Sequence, residues 1–126
     1  MERYRQLTLD QDLFDSKKPD RVAEAIEQHK PLIDTVVNAV AGYYSISVED
    51  MLGPSRKPDL VEARFLAAHL MHMNSELGQK AIAFALGRTD HTTTIHALRR
   101  AGQLITGDPY FRERVEAVSN QVFPLE

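Results

Sequence analysis

Eight consecutive residues, Asp90-His91-Thr92-Thr93-Thr94-Ile95-His96-Ala97, concentrate groups able to read a polar surface. Asp is a favoured helix N-cap, and its carboxylate suits the positive end of a helix dipole. A helix opening at Asp90 puts His91, Thr92 and Thr93 on its first turn, where hydroxyls, methyls and an imidazole edge face outward together. Ile95, Leu98, Ala101 and Ile105 recur on one face behind them, and Arg99 and Arg100 follow further along. An apolar back carrying small polar groups at its leading end is the make-up of a DNA recognition helix.

The elements needed to hold such a helix can be read from apolar spacing and punctuation. Asp15-Ser16-Lys17-Lys18-Pro19 reads as linker. Asp20 can cap a short helix to about His29, with Val22, Ala25 and Ile26 on one side. Lys30-Pro31 breaks or restarts it, since proline lacks the N–H that the helical ladder requires. Ile33, Val36, Val37, Val40 and Tyr44 then follow at helical spacing, and Ser47 opens a short helix that stops near Gly53-Pro54. After a loop at 54–59 carrying Arg56 and Lys57, Asp59 can cap a longer helix with Ala63, Leu66, Ala67, Leu70 and Met73 apolar. A helix over 76–86 is followed by Gly87 as its left-handed stop. The helix from Asp90 comes next, and Asp108-Pro109 starts the last one, with Phe111, Val115, Val118 and Val122 as its buried stripe. No segment alternates with period two. The expected fold is all-α, with six or seven helices and a helix-turn-helix formed by 76–86 and 90–105.

Composition limits the alternatives. The chain has no Cys, so thiolate metal sites and disulfides are excluded. No apolar run reaches the ~20 residues that cross a bilayer, and no signal segment opens the chain, so no membrane and a cytoplasmic location are expected. The formal net charge of -3 is unusual for a nucleic-acid binder. Its distribution matters more: counted from the sequence, residues 1–55 carry -4, residues 56–100 carry +3 and residues 101–126 carry -2. With a Debye length of ~8 Å at physiological salt, a local basic patch attracts phosphate despite acidic surroundings.

Tyr43-Tyr44-Ser45-Ile46-Ser47, the Arg56-bearing loop, Ala63-Arg64, and Gly87-Arg88-Thr89-Asp90-His91-Thr92-Thr93-Thr94-Ile95-His96-Ala97 occur in that order. Together, over about 30–120, they resemble the C-terminal duplex-DNA-binding domain of the bacterial replication initiator DnaA. The resemblance implies a Trp-repressor-like helix-turn-helix that enters the major groove of an asymmetric nine-base-pair box, while a basic loop reaches the adjacent minor groove. It implies base contacts from Asp90, His91 and Thr92, minor-groove insertion of Arg56, and phosphate contacts from Lys57, Arg64, Arg88, Thr93 and Arg100. The implied partners are double-stranded DNA and the full-length initiator, with no cofactor and no bound nucleotide. No Gly-x-x-x-x-Gly-Lys-Ser/Thr phosphate loop is present in the sequence, so the expectation is a non-enzymatic, stand-alone relative without the ATPase module.

Departures from the family pattern weaken the expected electrostatics. Thr89 replaces an arginine, Arg88 stands where a second glycine is usual, and Phe65 occupies a position where a polar, phosphate-binding residue is common. Pro54, Pro58, Asp59 and Glu62 dilute the loop. A rival expectation is therefore a protein-interaction module of the replication machinery that keeps the fold without binding DNA. Tyr43 and Tyr44 suit nucleic acid, yet Tyr44 continues an apolar stripe and core packing is the better reading. His69 and His72 lie three apart, but two histidines without a third ligand make a poor metal site, and helix packing with Phe65 is the simpler role. Residues 1–30 are expected to form an extension or linker with a short helix, and 31–126 the DNA-binding domain.

Overall fold

The computed structural model describes residues 19–124. Seven helices and no strand occur among them: α1 Pro19–Gln28, α2 Lys30–Tyr44, α3 Val48–Leu52, α4 Pro58–Asn74, α5 Gln79–Ala85, α6 His91–Gly107 and α7 Pro109–Val122. The linker expected at 15–19 lies outside the described residues except for Pro19, which already belongs to α1.

The architecture follows from one helix being buried on nearly every side. In α4, Leu60, Ala63, Leu66, Ala67, Ala68, Leu70 and Met71 are all buried, and α2, α3, α5, α6 and α7 all pack around it. Its far end departs from the expected stripe. Met73 is exposed and Met71 is sealed in the core, because a helix surrounded by neighbours has no single apolar face for a periodicity to reveal. Asp59 does not cap α4 either: Lys57 holds that position, Pro58 fills the first turn, and Asp59 sits inside it, where its charge favours the helix dipole.

The α4–α5 connection is longer than the sequence suggests. Ser75 Oγ donates to the Met71 carbonyl at 2.6 Å and accepts the Leu77 N–H at 3.2 Å. That local turn competes with helix and drops Leu77 into the core, so α5 begins only at Gln79. On α6 the buried positions are Thr94, Ala97 and Ala101, with Leu98, Leu104 and Ile105 packed beside them. The helix is thus rotated from the expected face, and Ile95 sits at its margin. Alanines fill both sides, Ala63, Ala67 and Ala68 on α4 and Ala97 and Ala101 on α6, and small side chains let helix axes approach closely.

The turn between α5 and α6 is built around Gly87. The Gly87 N–H donates to Phe84 O and the Arg88 N–H to Ala83 O at 3.0 and 2.7 Å, the paired bonds of a Schellman stop. Gly87 has φ +80, and a Cβ there would lie 2.1 Å from the Leu52 carbonyl oxygen. The glycine therefore does two things: it takes a left-handed conformation, and it lets the end of α3 sit directly on the turn. Gly87→Ala should lower the stability to urea by about 2 kcal/mol or more, from the strained φ and the displaced carbonyl together. Equilibrium unfolding of the variant beside the wild type measures it.

Candidate nucleic-acid interface

The leading turn of α6 is fixed by its cap. Asp90 Oδ1 accepts from the Thr92 N–H at 2.9 Å and from Thr92 Oγ1 at 2.8 Å. Thr93 Oγ1 donates to the Asp90 carbonyl at 2.7 Å. His91 Nδ1 lies 3.8 Å from the same Asp90 oxygen. His91, Thr92 and Thr93 are exposed, while Thr94 is buried and anchors the helix. The expected outward display of the first turn is what the structure has, but the hydroxyl protons of Thr92 and Thr93 are already engaged with Asp90. What Thr92 and Thr93 leave open is lone pairs and methyls.

The Thr92 backbone N–H, then the Thr92 hydroxyl, hold the Asp90 carboxyl below its ordinary range, with His91 and Lys80 adding favourable charge. Lys80, on the first turn of α5, is a contributor that sequence spacing did not single out. The signal was spatial, from α5 packing across α6.

The basic loop is held in place by two other arginines. Arg64 is 7% exposed. Its Nε donates to Met51 O at 2.6 Å, and its Nη2 to Gly53 O at 2.8 Å and Asp50 O at 3.3 Å. Arg88 Nη2 donates to Leu52 O at 3.2 Å and also to Gly53 O. The phosphate contact expected of Arg64 is thereby corrected: the guanidinium is buried and its donors serve α3. Arg88, half-buried, likewise turns its Nη2 toward the same carbonyls, which commits part of its donor capacity to the end of α3. The physical reason is that a helix end leaves carbonyls unpartnered, and a planar guanidinium with several donors satisfies them in one stroke. Burial, then the Arg88 charge, pushes the Arg64 pKa down.

Arg56 and Lys57 remain exposed on the loop. Arg56, Arg88, Asp90 and Thr93 wall two adjoining concavities of about 350 and about 680 Å3. The larger also contains Val61, Phe65, Thr92 and His96. The Phe65 and His96 rings meet edge-on with centroids 6.3 Å apart. Loop and helix start, 34 residues apart in sequence between Arg56 and Asp90, thus share one groove. Arg100 lies outside it on an exposed face of α6, with Nη1 bonded to Gln103 at 3.1 Å. Tyr44 is partly buried and donates to Glu62 at 2.5 Å, and Glu62 also accepts from Arg114 at 2.8 Å. Burial, then the Glu62 hydrogen bond and charge, pushes the Tyr44 pKa up. No group of three metal-ligating side chains gathers among the described residues, and no described helix is long and apolar enough to cross a membrane.

The sequence matches the family described as the bacterial dnaA protein helix-turn-helix over residues 33–101. It is 32% identical over 109 residues to the chromosomal replication initiator protein DnaA of Neisseria meningitidis serogroup C, covering 86% of this chain and 20% of that protein. The DnaA of Aquifex aeolicus is 36% identical over 88 residues, which is 70% of this chain and 22% of the relative. A crystal structure of a DNA replication initiation factor superposes with a TM-score of 0.69 at 28% identity, covering 94% of this chain and 36% of that one. The chain spans about a fifth of the length of these two initiator relatives.

Two measurements check this geometry. Arg64→Lys should destabilise the fold by about 1–3 kcal/mol, because an ammonium cannot reproduce the guanidinium fork and the Met51 carbonyl loses its Nε donor, while Gly53 O keeps Arg88 and Asp50 O keeps the Gly53 N–H; urea unfolding reads the loss. The Asp90 contribution follows from its depressed pKa: it is complete at pH values above the unfolded carboxylate pKa near 3.9 and fades as pH falls through the lower folded value. Asp90→Ala should therefore be less stable than the wild type at pH 7, and the gap should narrow as the pH falls below the unfolded carboxylate range and through the lower folded value.

Proposed function

The chain belongs to the bacterial DnaA helix-turn-helix family, and from that premise we propose that it binds double-stranded DNA at asymmetric DnaA-box-like sites in the control of replication initiation. The observation that carries the proposal is the shared groove: the exposed first turn of α6 and the Arg56 loop border one concavity. A helix N-terminal turn enters a major groove, and a flexible guanidinium beside it reaches the neighbouring minor groove, where A·T-rich sequence deepens the negative potential. His91 and the Thr92 methyl offer contacts to base edges, and Asp90 retains a second carboxylate oxygen for a cytosine amino group. Lys57, Arg100 and the Thr93 hydroxyl are assigned to phosphate, which sets register without reading sequence. For Thr93 that contact requires exchanging its present bond to the Asp90 carbonyl.

Binding is the whole activity in this reading. Occupancy of a box by this chain would compete with, or assist, an initiator that recognises the same site, and the same occupancy near a promoter would alter transcription. A second reading, a protein-interaction module that does not bind DNA, draws support from one observation: Arg64 and Arg88 spend donors on backbone carbonyls, which leaves fewer cations for phosphate.

Titrating a labelled box duplex and a scrambled duplex at two salt concentrations decides between them. The wild type should prefer the box, and His91→Ala should reduce that preference by ~1–3 kcal/mol. Arg100→Ala should weaken both duplexes and lower the salt slope by ~0.9. Equal affinity of the wild type for the two duplexes removes the site-specific reading, and no binding at low salt favours the second one.

A further inference from the structure

The groove between the loop and α6 has polar walls but an apolar floor. Arg56, Arg88, Asp90, Thr92, Thr93 and His96 supply polar lining. Val61 and Phe65 of α4 supply the accessible apolar part of the same concavity. Phe65 and Val61 are half-buried, and the Phe65 ring is braced edge-on by His96. These side chains have no donor or acceptor to offer.

We infer that this floor is a deoxyribose-reading surface: one strand's sugar–phosphate backbone runs over Val61 and Phe65, and a 2′-hydroxyl there is rejected. The inference rests on the DNA-binding reading above. A protein that places one group in a minor groove and a helix in the adjacent major groove must straddle the backbone that separates them. Arg56 and the first turn of α6 both line the concavity, so a strand straddled by them passes over it. The cationic and hydroxyl-bearing walls suit the phosphates. The floor suits the methylene edge of deoxyribose.

A ribose in that place would press its 2′-hydroxyl against a phenyl ring and an isopropyl group. The hydroxyl would lose water and find no partner, which is the costly case for a polar group. The 2′-hydroxyl is the group by which a protein separates RNA from DNA at a given position. The chemistry of the floor therefore predicts discrimination confined to one or two sugars of one strand, independent of base sequence.

The test is a single-ribonucleotide scan. A box duplex is made in all-deoxy form and as a series with one ribonucleotide at each position of each strand. For the wild type, one or two adjacent positions on one strand should lose about tenfold in affinity, and the others should match the all-deoxy duplex. Phe65→Leu should keep that pattern. Phe65→Gln, which supplies an amide partner, should flatten it when each ribonucleotide duplex is compared with the same variant's affinity for the all-deoxy duplex. Val61→Thr, isosteric and polar on the same floor, should shrink the penalty and serves where Phe65→Gln does not fold. A flat scan for a wild type that binds the all-deoxy duplex overturns the inference alone, as does a penalty unchanged in both polar variants. Failure to bind the all-deoxy duplex strikes instead at the DNA-binding reading beneath it.

Discussion

The arrangement depends on how the end of α3 is held. Four consecutive carbonyls, from Asp50 to Gly53, point away from a helix of only five residues. The Asp50 carbonyl also accepts the Gly53 N–H, but each of the others, left buried and unpartnered, would cost about 1–3 kcal/mol. Arg64 reaches them from α4 and Arg88 from the turn before α6, so the same acceptors tie three separate parts of the chain together. Gly87 completes the joint by offering no Cβ where the Leu52 carbonyl comes closest. Two like charges share this corner, and the negative end of the α3 dipole helps to offset their repulsion.

Position follows from that joint. The loop after Gly53 leaves from a fixed point, and α6 starts four residues after Gly87, so Arg56 and the first turn of α6 are set beside one another by shared backbone contacts. The other side of α4 uses a different device. Tyr44, Glu62 and Arg114 link α2, α4 and α7 through one carboxylate oxygen. Asp108 at once ends α6 and caps α7 by accepting from the Tyr110 and Phe111 N–H groups. The central helix is thus pinned by a guanidinium near its start and by a carboxylate on the same turns, one facing α3 and the other facing α7.

The electrostatic consequence is economical in charge. Residues 56–100 carry seven cationic side chains against four acidic ones, yet two of the seven are turned to backbone. Of the cations left for a polyanion, Arg56 lines the groove and Arg100 lies on an exposed face outside it. The groove lining mixes hydroxyls and an imidazole with apolar side chains, so complementarity to a nucleic-acid backbone would come from shape and sugar contact as much as from counterion release. This suits a chain whose overall charge is negative.

Much of this was legible in the residues themselves. The spacing of Val36, Val37 and Val40, the Asp90 and Asp108 caps and the glycine stop at Gly87 all specify local structure, because caps and left-handed turns are satisfied by atoms a few bonds away. Those signals were enough to expect six or seven helices and the exposed first turn of α6. What spacing could not decide was where an arginine side chain ends. Arg64 and Arg88 look like phosphate binders beside a recognition motif, and only the folded chain brings them to carbonyls 11 to 14 and 35 to 36 residues away. The same holds for Met71 over Met73 and for Thr94 over Ile95, where the surrounding helices choose the buried face. Local hydrogen bonding is written in sequence order, whereas the satisfaction of a distant buried acceptor is settled by packing, when water leaves and the nearest long donor takes its place.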